Sequence, residues 1–363
     1  MKQWLETRLV LDEIAALRAR DARAALATVV RVNGSAYRHE GAKLLVAEDT
    51  RTVGNVSGGC LEADVREVAL RVIATGVSEQ RSYCGGSDEI SAWDLGVGCD
   101  GEVEILVEPV TTLRSAERAA VAAEVSYLAI TQLGGPNAEA ESPRVVVSGG
   151  ALHGTLGDAG LDAAVRREAA DWAGVGESHL REVEGATLFV DVMEPPPRLV
   201  VISAGEDARV LARLASEVGF RVVTVDRRPG LLQRENFPGA VRLLESDAAR
   251  LTELLVLEPS SFAVVMTHDF ADDTAYLRAL LETPVRYIGM LGPRQRTDRI
   301  ISRLGVQSAG DLARIFGPVG LDIGTDGAEQ VALAVLAEIL AVRSGRQPQS
   351  LRDRRAPIHA TGE

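Results

Sequence analysis

Three consecutive prolines, Pro195 to Pro197, interrupt a chain of 363 residues. Proline fixes its own φ and lacks an amide hydrogen, so a triplet continues neither a helix nor a central strand and favours an extended connector. The residues on each side are numerous enough to bury a separate core. We therefore expect an N-terminal domain over 1–194, a linker over 195–198, a second domain over 199–345 and an arginine-rich tail over 346–363.

The residues after the linker alternate between apolar runs and helical patterns. Apolar runs at Arg198–Ile202, Arg221–Val225 and Phe262–Met266 are typical of buried strands. Strands joined by helices form a mostly parallel sheet with right-handed crossovers and helices on both faces. Further strands are expected at 241–244 and 285–288, and a last helix at 328–342.

The residues before the linker mix helical and strand patterns. Leu61, Val65, Val68 and Val72 recur on one face of a helix, whereas residues 102–108 alternate with the period of a strand. The fold class expected for the whole chain is α/β, an N-terminal α+β domain followed by a C-terminal Rossmann-like doubly wound parallel sheet. Other elements expected are a helix at 5–20, a strand at 25–32, a hairpin of 44–47 with 52–56, and apolar runs at 127–130 and 145–147.

The charge and the distribution of apolar residues argue against nucleic-acid binding and against a membrane span. The chain has 39 basic and 52 acidic residues, and its net charge of -13 disfavours binding to nucleic acid. No stretch approaches the roughly 18 apolar residues of a membrane span. Glu6 and Arg8 lie where a signal peptide needs an apolar core. We therefore expect a soluble, cytoplasmic protein.

Two glycine–cysteine turns in the N-terminal part are candidates for ligand contacts. Gly58 and Gly59 let the backbone approach a ligand, and the helix that follows directs its unpaired amides at the same place. Cys60 is then expected to be thiolate-rich and available to a soft metal. Gly98 places Cys99 on a similar turn before a strand. Inward packing of each thiol is the alternative, and the residues alone leave both open.

A polar turn follows the first predicted strand. Gly34 and Ser35 precede Arg38, and an arginine in a turn rich in glycine and serine suits a phosphate or a carboxylate. The alternative is a surface turn without a ligand.

The second domain begins with an imperfect dinucleotide-binding pattern. The glycine positions of G-x-G-x-x-G fall on Ser203, Gly205 and Ala208, and Asp226 stands where an acid would bind a ribose hydroxyl. Glu206–Asp207 begin the helix, and acids there oppose a pyrophosphate. The sequence therefore predicts the fold but not tight NAD binding.

Two further segments follow strands of the predicted sheet, where such folds bind ligands. Thr267–Asp269 contains His268, a candidate proton carrier or polar contact; the alternative is that His268 caps the next helix. Gly292 precedes Arg294 and Arg296, which resemble an anion site.

Six ordered blocks, which together span most of the chain, resemble the XdhC/CoxI family of xanthine dehydrogenase accessory proteins. No single glycine pattern has comparable specificity. The blocks are Gly34–Ala42, Gly58–Glu62, Gly98–Pro109, Thr267–Asp269, Tyr287–Gly292 and Pro318–Gly324.

The resemblance implies a non-catalytic accessory role. Such proteins bind molybdenum cofactor (molybdopterin) transiently, protect it while the molybdenum receives its terminal sulfur, and pass it to a molybdenum hydroxylase apoenzyme. Cys60 and Cys99 would hold the molybdenum or its sulfur, and Gly58, Gly59 and Arg38 would receive the pterin phosphate. The resemblance also implies a homodimer and admits a cysteine desulfurase as a second partner.

The sequence departs from the family pattern in one place, and two alternatives to the accessory role stay open. Ser203 and Glu206 stand where many relatives carry a glycine and a histidine, which puts a nucleotide role of the second domain in doubt. The first alternative is an NAD(P)-binding oxidoreductase that uses this domain. The second is a cysteine-dependent transferase or sulfur carrier with Cys60 as nucleophile. Purine hydroxylation by the chain alone is not expected, since no iron–sulfur cysteine spacing occurs.

Overall fold

The computed structural model describes residues 2–34, 36–84, 102–134 and 141–355. The chain forms two compact units, Met1–Pro195 and Pro196–Glu363. The division falls inside the proline triplet, and each unit has its own clusters of buried apolar side chains. None of the helices in the described ranges combines the length and apolar character that crossing a membrane requires.

The first sheet of the N-terminal unit has five strands in the order β3-β2-β1-β5-β4, all paired antiparallel. The predicted hairpin is confirmed as β2 and β3. Val65, Val68 and Val72 of the second helix are buried against β1, as their spacing predicts. The elements are α1 (Lys2–Ala19), β1 (Ala24–Asn33), β2 (Lys43–Ala47), β3 (Thr52–Gly54), α2 (Glu62–Thr75), β4 (Glu79–Cys84) and β5 (Glu102–Pro109).

A second antiparallel sheet completes this unit, in the order β8-β7-β6-β10-β9. Successive residues of its central strand pack into two different hydrophobic cores. Leu128 packs into the core formed with helix 159–173, and Tyr127 packs against Trp4 of α1. The elements are α3 (Ser115–Ala122), β6 (Tyr127–Leu133), β7 (Arg144–Ser148), β8 (Ala151–Thr155), α4 (Ala159–Ala173), β9 (His179–Val183) and β10 (Ala186–Met193).

A buried ion pair joins the two sheets. Nζ of Lys43 on β2 lies 2.5 Å from Oδ2 of Asp191 on β10, and the two side chains are 4% and 5% exposed. The other carboxylate oxygen of Asp191 accepts hydrogen bonds from Gln3 and from Ser178. The pair and its hydrogen bonds thus connect β2 of the first sheet with β10 of the second.

The C-terminal unit is the predicted doubly wound sheet. Six parallel strands lie in the order β13-β12-β11-β14-β15-β16, so the order reverses between β11 and β14. The predicted strand at 285–288 in fact spans Tyr287–Met290, because Tyr287 pairs with Phe262 of the neighbouring strand. The strands are β11 (Arg198–Ile202), β12 (Arg221–Asp226), β13 (Arg242–Glu245), β14 (Phe262–Val265), β15 (Tyr287–Met290) and β16 (Ile315–Phe316). The helices are α5 (Glu206–Val218), α6 (Leu251–Leu254), α7 (Phe270–Leu281), α8 (Arg294–Leu304), α9 (Ala309–Ala313) and α10 (Ala328–Ser344).

Candidate functional site

The glycine turn before α2 is closed by its own hydrogen bonds. The Glu62 carboxylate accepts hydrogen bonds from the amide of Ser57 at 2.8 Å and from its hydroxyl. Oγ of Ser57 accepts hydrogen bonds from the amides of Gly59 and Leu61, each at 3.1 Å. Three of the amides that the sequence offers to a ligand are therefore already used.

The two glycines of this turn are required for different reasons. Gly59 has φ +114, which side chains rarely adopt, and nothing lies within 4 Å of a Cβ placed there. At Gly58 a Cβ would stand 3.3 Å from the ring of Tyr37, so glycine allows the ring to rest on the turn. The backbone is exposed to solvent at both glycines.

Cys60 is a half-buried free thiol that packs partly against the cluster around Val65. It is neither fully enclosed nor fully exposed. Three of the residues predicted as its companions, Ser35, Gly98 and Cys99, lie outside the described residues. A joint role of Cys60 and Cys99 therefore stays a prediction.

The charge at the start of α2 differs from the sequence expectation. Burial acts to raise the pKa of Glu62, but the hydrogen bonds from Ser57 outweigh it and the pKa is lowered. Glu62 is thus ionised at neutral pH, and Asp64 lies in the same first turn. These acids offset the positive end of the helix dipole. An incoming anion meets less positive potential here than the glycine pattern suggests.

The Glu62→Gln variant is expected to react faster at Cys60. The amide has the same size as the carboxylate but no charge, so the variant removes one negative charge from the end of the helix that Cys60 precedes. We expect alkylation by iodoacetamide at pH 7 to accelerate about two- to fivefold, as removal of one charge from a helix end implies. The measurement uses a chain with Cys84 and Cys99 replaced by serine. Glu67→Gln, farther along α2, is the control, and equal rates in both variants would contradict the argument.

Arg38 is held inside the unit. Its Nη1 donates to Oε1 of Glu6 on α1 at 3.2 Å, and Nη2 donates to the other oxygen. The side chain is 9% exposed. The structure therefore places Arg38 as an anchor of its turn on α1 and not as a free partner for a phosphate. Gly34, with φ +87, begins the same turn.

A cavity of about 220 Å³ lies at the carboxyl ends of β11, β12 and β14. This is the point where the strand order reverses, at which open α/β sheets bind ligands. The cavity brings the predicted site residue Asp226 together with the predicted segment Thr267–Asp269, which is far from it in the sequence. Its lining is Ser203, Val225, Asp226, Arg227, Arg228, Thr267, His268, Asp269, Asp272 and Tyr276.

Asp226 is already fully bonded within the protein. Its carboxylate accepts hydrogen bonds from the amide of Ala204 at 2.7 Å and from the guanidinium of Arg228 at 2.9 Å. Burial acts to raise its pKa, yet the bonds from Arg228 and Ala204 lower the pKa overall. Arg227 pairs with Asp272 at 2.7 Å. The sequence interpretation missed both arginines, although they directly follow Asp226.

The segment after β14 is a hydrogen-bonded turn. Asp269 caps α7 by accepting from the amides of Ala271 and Asp272, so the alternative in which His268 is the cap is wrong. His268 adopts φ 61, and its Nε2 lies 3.5 Å from Oδ2 of Asp207. The histidine ring therefore reaches the first turn of α5.

The remaining predicted residues of the C-terminal unit are not part of the cavity lining. Gly205 is the N-cap residue of α5, and Arg294 is the exposed first residue of α8. Gly292, with φ +123, adjoins the side chain of Arg296. Arg296 donates to Asp273 at 2.7 Å and is therefore engaged in an internal ion pair. The expected anion site at Arg294 and Arg296 is thus reduced to one exposed guanidinium.

Two family models match the chain, one in each unit. The model of the XdhC and CoxI family matches residues 17–84, and the model described as the XdhC Rossmann domain matches residues 199–339. The first contains the glycine turn with Cys60. The second contains all of the residues that line the cavity.

Three individual proteins align with this chain over at least 86% of their own length. A Bacillus subtilis protein, named as a probable xanthine dehydrogenase subunit, is 32% identical over 326 residues, which are 88% of this chain and 93% of that protein. The molybdenum cofactor insertion chaperone PaoD of Escherichia coli is 25% identical over 90% of this chain and 86% of its own. A crystal structure described as a xanthine dehydrogenase from Bacillus halodurans is 29% identical, with a TM-score of 0.77 over 94% of this chain and 98% of that one. The chain therefore belongs to the XdhC and CoxI family.

Proposed function

We propose that the protein binds molybdenum cofactor transiently and delivers it to a molybdenum hydroxylase of the xanthine dehydrogenase type. One observation carries the proposal. Two relatives, one named as part of a xanthine dehydrogenase and one named as a molybdenum cofactor insertion chaperone, align with this chain over at least 86% of their own length. Relatives of this chain are thus named both for the enzyme and for the insertion of its cofactor.

The glycine turn with Cys60 has the chemistry that this cargo requires. Molybdenum with sulfur ligands is a soft centre, and a cysteine thiolate is a soft donor. The amides of Gly58 and Cys60 donate to no acceptor among the described residues, which leaves them for the pterin phosphate. Because Arg38 is paired with Glu6, we assign the phosphate to these amides and not to the guanidinium.

The features of the turn also suit release. Ionised Glu62 beside Cys60 weakens the binding of an anion, and a half-buried thiol is open to exchange. A protein that passes its cargo on needs modest affinity and an open site. Homodimer formation, a cytoplasmic location and a cysteine desulfurase as sulfur donor belong to the same proposal and rest on the family resemblance.

The oxidoreductase alternative has less support. Glu206 and Asp207 occupy the first turn of α5, where a pyrophosphate would bind, and Asp226 already accepts from Arg228. Saturable micromolar binding of NAD or NADP in a calorimetric titration would favour it.

The Cys60→Ala variant is expected to retain less cofactor. Loss of one soft ligand should weaken binding on the order of tenfold, or about 1.4 kcal/mol. The measurement is an anaerobic titration with cofactor released from a purified molybdoenzyme, followed by molybdenum and pterin analysis after gel filtration. Cys84→Ala is the control. Unchanged binding in Cys60→Ala and in Cys99→Ala would remove the thiol from the proposal, and an unaltered chain that binds neither molybdenum nor pterin would refute the proposal itself.

A further inference from the structure

Tyr37 presents an aromatic ring beside the glycine turn. The ring atoms Cγ, Cδ1 and Cδ2 lie 3.3–3.5 Å from the position of a Cβ on Gly58. Three nearly equal distances mean that one face of the ring rests on the glycine. The residue is nevertheless 64% exposed. Much of the ring is therefore free to contact another molecule.

The backbone around Tyr37 is fixed at several points. The next residue, Arg38, is bound to Glu6 of α1 through two hydrogen bonds. The amide of Gly41 donates to the carbonyl of Val29 at 2.8 Å, which ties the end of the turn to β1. A ring held in this way loses little conformational entropy when a ligand contacts it.

The surroundings of the ring favour a flat ligand. Gly59 follows Gly58 with open space where a side chain would stand, and Cys60 comes next. The inner face of the Tyr37 ring rests on Gly58, two residues before Cys60, so a planar heterocycle would stack on the opposite, exposed face. Nucleobases stack on aromatic side chains, and the pyrimidinone ring of a pterin presents a comparable face.

We infer that Tyr37 is the stacking surface for the pterin ring of the cargo, next to Cys60. The inference rests on the proposed function and adds a residue that positions the organic part of the cofactor. The tyrosine ring would orient the pterin, so that the sulfur-ligated metal and the phosphate are presented to the rest of the turn.

Exchange of Tyr37 for leucine or phenylalanine separates stacking from simple burial. Tyr37→Leu keeps an apolar side chain without an aromatic face, and we expect about tenfold weaker binding of the extracted cofactor. Tyr37→Phe keeps the face and should bind within about twofold of the unaltered chain. Leu9→Ala, which changes another exposed apolar residue of the same unit, is the control. Equal thermal unfolding midpoints would show that the variants are folded.

A second probe separates this inference from the proposed function. The metal-free pterin 6-hydroxymethylpterin is titrated into each variant, and quenching of its fluorescence is recorded. Quenching that requires an aromatic residue at position 37 supports the stacking. Failure of the unaltered chain to bind the extracted cofactor would refute the proposed function but would leave this result standing. Equal binding of both probes to Tyr37→Leu and the unaltered chain overturns the inference. Unchanged cofactor binding with impaired transfer to the apoenzyme also overturns it, and assigns Tyr37 to contact with the client enzyme.

Discussion

Replacement of Asp191 by alanine is expected to lower the free energy of unfolding of the N-terminal unit by about 3–5 kcal/mol. The variant leaves the buried ammonium group of Lys43 without the carboxylate that lies 2.5 Å away. It also removes the acceptor of hydrogen bonds from Gln3 and Ser178. Because Lys43 and Asp191 belong to different sheets, the loss should reach the whole unit.

Urea denaturation followed by tryptophan fluorescence measures this effect selectively. All three tryptophans, Trp4, Trp93 and Trp172, precede the linker. Asp12→Ala is the control, because the pair of Arg8 with Asp12 is exposed and should contribute less than about 1 kcal/mol. The double variant Lys43→Met with Asp191→Leu should recover most of the stability, since an apolar pair replaces the charges. A loss below about 1 kcal/mol in Asp191→Ala would contradict this account.

Replacement of Asp273 by alanine is expected to destabilise the C-terminal unit by about 2–4 kcal/mol. The side chain is 1% exposed and accepts hydrogen bonds from the amide and hydroxyl of Thr267 and from Arg296. Its removal leaves the amide of Thr267 unpaired and frees the turn that carries His268. The cavity should therefore lose its shape together with stability.

The C-terminal unit contains no tryptophan, so its unfolding is not reported by tryptophan fluorescence. It is followed instead by circular dichroism at 222 nm. Asp273→Asn keeps an acceptor for Thr267 but loses the charge opposite Arg296, and should fall between the alanine variant and the unaltered chain. The control is Asp298→Ala on the exposed side of α8. A C-terminal transition that is unchanged in Asp273→Ala would refute the role assigned to this carboxylate.

The C-terminal fold could be predicted because its strands are continuous apolar runs. Residues 199–202 and 262–265 are buried in every position, and a turn or an acid follows each run. Such runs require cover on both faces of the sheet, which leaves few alternatives to a doubly wound arrangement. Right-handed crossovers then limit the possible orders of the strands but do not select one of them.

The second antiparallel sheet of the N-terminal unit could not be predicted in the same way. Strand β8, Ala151–Thr155, is exposed at four of its five residues, so it carries no apolar alternation. Strand β9 likewise mixes exposed and half-buried residues. These strands form because a neighbour offers hydrogen-bonding groups, and a periodicity argument does not detect such pairing.

The candidate site shows the same limit at the level of single residues. The turn at Gly58 and Cys60 was visible as a glycine pattern before a helical one. The partner of Arg38 was not, because Glu6 lies 32 residues earlier in the chain, on helix α1. Glu62 follows Cys60 closely, and its acidity was a signal available from the sequence. Ion pairs between distant segments decide which arginines remain free, and sequence spacing does not reveal them.

The hydrogen bonds of Asp226 limit which ligands could bind in the C-terminal cavity. A ribose hydroxyl could bind this carboxylate only by displacing the guanidinium of Arg228. The free energy of binding would then be the difference between the hydrogen bonds that form and those that are lost. The displaced guanidinium then needs another anion nearby. A sugar linked to a phosphate can satisfy both groups at once, whereas an uncharged nucleoside can satisfy only one. A ligand of this cavity would therefore have to replace both partners of the Asp226–Arg228 ion pair, a condition that the volume of the cavity alone does not impose.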